Sequence, residues 1–275
     1  MGEANTLNML GSIISRKFHP AEAVEIFQEG EEIAIRAASY RSLTMIWTNL
    51  GWAYVQLGLY EQAEACLEKG LHLVAQVNDP TVSYVTLRNL SGVRRLTGQP
   101  DEAIELSQQA LSKACQAVDK RAMAMTQVAL GLAYLDAGKL PQAEEIFSEA
   151  LASALKSDHA INKICARTGV AEVALAQNQV MRALAQTEKL LPLLEESPDL
   201  YLIAEHMGPH WTCYRVLKAN EDPRADSLLQ QTHDQLLGRA ASISDQDLHA
   251  SYLHNVAAHQ RILDEYAKLH ITSVS

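Results

Sequence analysis

The 275-residue chain carries 23 basic and 33 acidic side chains, a formal net charge of −10, and only 5% aromatic residues. That sign argues against direct nucleic-acid binding, because a phosphate backbone attracts cations, and no run of 18 apolar residues offers a membrane span. With 48% hydrophobic residues, 8 prolines and 13 glycines, and with Ala, Leu, Glu and Gln prominent, the composition predicts a packed helical protein.

The N-terminus lacks a basic stretch followed by an apolar run, so no signal peptide is read and a cytoplasmic location is expected. Gly2 and Thr6 fit a lipidation pattern too short to carry weight. Cys66, Cys115, Cys165 and Cys213 are 48 to 50 residues apart without a CxxC pair, which predicts scattered reduced thiols.

A forty-residue period organises the chain. Unit one (4–40) sets Gly11, Ala23, Phe27 and Gly30 in a pattern that later units repeat. Unit two (41–80) repeats it as Gly51, Ala63, Leu67 and Gly70. Its halves, 41–58 and 60–77, carry apolar residues at three- and four-residue intervals, which predicts two helices with Gly58 ending the first. Unit three (81–120) has Ser91, Ala103, Ser107 and Ala110; unit four (121–160) has Gly131, Ala143, Phe147 and Ala150. Gly98 and Gly138 recur at the position of Gly58, and Pro20, Pro100 and Pro141 fall near second-helix starts, where a missing N–H costs nothing. Unit five (161–200) keeps Ala171, Ala183, Thr187 and Leu190.

In unit six (201–242) Trp211 holds the phase, but Pro223 displaces the alanine, and Ala225, Leu229 and Thr232 follow two residues late. The tail, 245–270, is predicted to be a capping helix through Leu248, Tyr252, Val256, Ile262, Leu263 and Tyr266. The small residues need a physical cause: antiparallel helices crossing closely leave no room for a side chain at the contact.

The stretch Asn49–Leu71 shares nine of 23 positions with Ala129–Leu151, among them Leu50/Leu130, Gly51/Gly131, Tyr54/Tyr134 and Ala63/Ala143. With Trp47, Leu67, Gly70, Phe147 and Ala150 these residues resemble the tetratricopeptide repeat pattern over roughly residues 5–240. The long period is similar to the superhelical sensor regions of bacterial signal-transduction ATPases and transcriptional activators. The resemblance implies one all-α, right-handed superhelical solenoid of antiparallel helix pairs over 1–275, non-catalytic, with the first helix of each unit lining a concave face. It also implies a region that senses a small ligand or a protein partner for a separate nucleotide-binding domain; no Gly-rich phosphate loop occurs in this chain.

On that inward register lie Asn8 and Arg16 of unit one, Thr48, Asn49, Trp52 and Gln56 of unit two, and Arg88, Asn89 and Arg95 of unit three. Leu132 and Asp136, then Glu172, then Arg215 continue it. Amides that hold backbone groups, guanidinium groups that hold a carboxylate and one aromatic make a peptide groove the leading expectation. A small-molecule effector in a closed pocket and self-association through the ends or the last helix are the alternatives. Asn49 stands with Arg16, Arg88 and Arg95 rather than with a paired Lys–Asn clamp, which argues against chaperone-tail binding.

His206, His210 and Cys213 share one helical face at i, i+4 and i+7, yet no fourth ligand is recognisable, so no metal or cofactor is expected. No nucleophile–base constellation stands out, so no enzyme is read.

Overall fold

The computed structural model describes residues 2–17, 19–77, 79–157, 159–196 and 207–272. Its described residues form helices and turns with no strand. Antiparallel pairs follow one another: α1 (Gly2–Arg16) with α2 (Pro20–Arg36), α3 (Tyr40–Gln56) with α4 (Tyr60–Val77), and α5 (Pro80–Leu96) with α6 (Pro100–Gln116). Next come α7 (Lys120–Asp136) with α8 (Leu140–Ser157), α9 (Ala160–Ala176) with α10 (Val180–Glu196), and α11 (Gly208–Ala219) with α12 (Arg224–Ala240). α13 (Gln246–His254) and α14 (Ala257–Thr272) close the described chain.

The period has a simple origin. α5 and α6 each have 17 residues, and three-residue turns follow them at 97–99 and 117–119, which together make forty. The first turn of each pair reverses through a left-handed residue: Gly58 (φ 74°), Gly98 (79°), Gly138 (70°) and Asn178 (57°) stand forty apart. In each, the residue after that position donates its N–H five residues back, as from Leu59 to Tyr54 O (2.9 Å) and from Lys139 to Tyr134 O (2.8 Å), satisfying carbonyls the helix end leaves bare. The second turn reverses through Ala38 (φ 48°) and Val118 (φ 55°), where a side chain is disfavoured. Caps repeat too: Asp79, Asp119 and His159 precede α5, α7 and α9 and accept from their first N–H groups.

Each first helix packs against its own second helix, the second helix before it and the neighbouring first helices. Phe147 shows why the contact positions are small. A Cβ on Gly131 would lie 2.7 Å from its ring, and one on Gly169, in the following pair, 2.2 Å. Where Gly is replaced the partner shrinks: Ser91 faces Ser107, their hydroxyls 2.6 Å apart, and Ser91 Oγ donates to Ala103 O (2.8 Å).

The segment read as one capping helix breaks between α13 and α14. Tyr252, Val256 and Ile262 are buried, and Leu248, Leu263 and Tyr266 pack against the same core. α13 also reaches far back along the chain. Ser251 Oγ donates to Leu57 O (2.7 Å), and Tyr60 Oη donates to Asn255 O (3.3 Å), joining residues 195 positions apart. A core containing Phe27, Leu50 and Leu57 therefore merges with one containing Leu217, Leu236 and Ile262. α13 thus meets the α3–α4 turn, and the first-helix faces line a half-open chamber.

Candidate functional site

The chamber has a volume of about 500 Å³ and is lined chiefly by α1, α3, α5, α7 and α9. Its wall is apolar at Met125, Val128, Leu132 and Ile161 and polar at Ser12, Asn49 and Asn89. Trp52 faces it, half-buried. Such a wall, apolar with a few convergent polar groups, is what ligand sites share.

The inward asparagines first of all tie neighbouring repeats. Asn49 Nδ2 donates to Asn8 Oδ1 (2.9 Å) and Ser12 Oγ (3.1 Å), and Asn89 Nδ2 donates to Thr48 O (3.4 Å). Asn162 continues the ladder, donating to Arg121 O (3.4 Å). Asn8, Thr48 and Gln56 are buried between helices and are not part of the chamber lining. Thr48 shares a 2.7 Å hydrogen bond with Thr86, and Gln56 Oε1 accepts from Ser15 (3.0 Å).

Arg16, Asn49, Trp52, Arg88, Asn89, Arg95 and Leu132 do come together at the chamber. Asp136 lies outside its lining and pairs with Arg95 (2.9 Å). Glu172 and Arg215 stand apart: Arg215 Nη1 donates to Glu172 Oε2 (2.8 Å) and Oε1 (3.0 Å), and Thr212 Oγ1 donates to the same carboxylate (2.6 Å).

Tyr84, Asp119, Arg121 and His159 line the chamber as well, and the inward register did not select them. Asp119 caps α7 through Ala122 N (3.0 Å) and accepts from Tyr84 Oη (2.9 Å). The Ala122 N–H, then the Tyr84 hydroxyl and Arg121, hold its carboxyl below the usual range against a desolvation that raises it. Burial pushes the Cys165 thiol up to about 12, so it stays neutral at the chamber wall.

Of the histidine–cysteine trio, His206 lies outside the described residues. Cys213 is buried, its thiol pushed up to about 12 by burial. His210 is buried beside Arg239 and pushed down to about 4, by desolvation first and then by that positive charge. Among the described residues no group of three or more His, Cys, Asp or Glu is placed to hold a metal ion. Nor, among them, is any helix long and apolar enough to cross a membrane.

Helix pairs stacked at a forty-residue interval, with first helices around a common hollow, define an α-solenoid binding scaffold. The tetratricopeptide repeat family model matches residues 43–116 and again 82–156, and the helix-pair fold continues on both sides. No curated protein sequence matches the chain. Among solved structures, a Rap protein complexed with Competence and Sporulation Factor superposes with a TM-score of 0.67 at 14% identity, over 97% of this chain and 76% of that one. The signal-transduction ATPase with a tetratricopeptide repeat sensor from Pyrococcus horikoshii gives 0.62 at 14%, over 97% of this chain but 44% of that protein. A putative kinesin light chain from Podosopora anserina gives 0.55 at 19%, over 70% and 95%. These neighbours share the fold with this chain, and the repeat type is not confined to bacteria.

Proposed function

We propose that the chamber binds a peptide segment of a partner protein and that the chain acts as a non-catalytic sensor or adaptor in the cytoplasm. The observation that carries this reading is the chamber's mixed wall: amides at Asn49 and Asn89, the Trp52 ring, and an apolar end at Met125 and Leu132. The Asn49 Oδ1, which the ties between repeats do not use, can accept from a peptide N–H, and the apolar end takes a side chain. The similar Rap protein was solved in a complex with Competence and Sporulation Factor, which supports a ligand-holding role for this shape. The volume also suits a small-molecule effector, the second reading, since such pockets span about 300–1,000 Å³. Four cysteines without a disulfide fit a reducing compartment.

Panning a random peptide library on the full chain tests the proposal. Selected peptides should change Trp52 fluorescence, an effect absent in Trp52→Phe, and should lose at least tenfold in affinity for Leu132→Glu. Peptides that bind Leu132→Glu as tightly as the wild type would move the site off the chamber.

A further inference from the structure

The chamber's charge runs opposite to that of the chain. In a protein of net charge −10, the lining holds four arginines, Arg16, Arg88, Arg95 and Arg121, against one carboxylate, Asp119. Arg95 is paired with Asp136, and Asp119 is engaged by Tyr84 and the α7 N-terminus.

Arg88 is the unusual one. It projects from the middle of α5 and keeps some surface open to the chamber, yet protein surrounds its guanidinium as it would a core group. Its hydrogen bond runs from Nη2 to Asn89 Oδ1 (3.2 Å), and among the described residues no carboxylate lies within ion-pair distance. Asn89 takes one of the two Nη2 hydrogens, so one paired N–H edge of the guanidinium, Nε–Nη2 or Nη1–Nη2, has no protein partner among the described residues. The neighbouring groups do not compensate it: Cys165 is a neutral thiol, and Arg121 adds a second positive charge. Desolvation, together with Arg121, pulls the Arg88 pKa below its ordinary value. A desolvated cation without a counterion is costly, and such groups gather where a ligand completes them.

We propose that Arg88, with Arg121 beside it, forms an anion subsite in the chamber that takes a carboxylate of the bound ligand in the plane of the Arg88 guanidinium. A carboxylate fits better than a phosphate. The free edge of one guanidinium matches two oxygens in a plane, whereas the apolar wall at Val85, Val128 and Ile161 makes a doubly charged phosphate costlier to desolvate than a singly charged carboxylate. This rests on the chamber being the binding site; it adds the chemical group that site demands.

The test uses the full chain and two kinds of probe. In thermal unfolding at constant ionic strength, replacing chloride with 100 mM acetate should raise the wild-type midpoint by about 2–4 °C, and the rise should vanish in Arg88→Gln. Phosphate should raise it less than acetate. Without ligand, Arg88→Gln should melt at or above the wild-type temperature, because it removes an uncompensated charge; melting several degrees lower would show a structural arginine and overturn the proposal. An equal acetate response in Arg88→Gln, or a larger rise with phosphate, would also overturn it. Library-selected peptides made as free acids and as amides form the second arm. If they bind Arg88→Gln undiminished and the amides bind equally well, the peptide reading stands and the subsite falls. If no peptide is selected but the Arg88-dependent acetate effect is present, the subsite stands and its occupant is a small carboxylate.

Discussion

Two neighbouring stretches of the first-helix face have opposite economies of charge. Between α9 and α11, Glu172, Thr212 and Arg215 satisfy one another at 2.6–3.0 Å. Between α5 and α7, Arg88 and Arg121 face the chamber with no carboxylate in ion-pair contact among the described residues. The same α5 shows that pairing was available. Six residues on, outward-facing Arg94 meets Glu64, Glu68 and Glu102. A repeat scaffold can thus neutralise its arginines wherever carboxylates fall one repeat away. Where it leaves them uncompensated, the position serves something other than the scaffold's own stability.

The largest expected effect removes the shape that holds the chamber side together. Gly169→Ala drives a methyl into the Phe147 ring, and the α7–α9 wall should lose about 3 kcal/mol, read as a lower urea midpoint. An unchanged midpoint would mean the ring has space to move. Acidification probes the other side. His210 has its pKa depressed from 6.5 to about 4, so the unfolded chain takes up the proton first. Stability is then full above pH 6.5 and falls as pH drops towards 4, by about 3 kcal/mol in total. His210→Gln should flatten that part of the pH profile; an unaltered slope would assign it to other groups.

The direct comparison is of matched substitutions. Arg215→Gln breaks a partly exposed pair and should cost about 1 kcal/mol, while Arg88→Gln should cost nothing in the absence of ligand. Equal losses at both positions would erase the distinction drawn between the two stretches. The smallest effect lies beside the chamber-lining cap Asp119. Val118 is exposed at φ 55°, a conformation a β-branched residue resists, so Val118→Asn should stabilise by about 1 kcal/mol without altering acetate binding.

Much of this was legible in the sequence. The interval of forty, the Gly58, Gly98 and Gly138 turns, and the need for a small residue at the helix contact are local matters of helix length, capping and contact size, and they stand as the periodicity predicts; that the Phe147 ring fills the space at Gly131 came from the structure. The inward register also brought Arg16, Asn49, Trp52, Arg88, Asn89, Arg95 and Leu132 to one chamber. It did not single out Arg121 and His159, which lie in and before the first turns of α7 and α9. The signal available for them was the cap series Asp79, Asp119 and His159, also forty apart.

What residue order by itself determined is the repeated unit, because a helix pair is specified by contacts within about forty residues. How far the stack curves, whether α13 reaches the Leu57–Tyr60 turn, and which inward amides are spent between repeats were decided only by the tertiary structure. Each repeat adds a small rotation, and the sum over the whole stack sets the width of the chamber. No single repeat encodes that sum, and so none shows from its own sequence that Arg88 faces the chamber with no carboxylate beside it among the described residues.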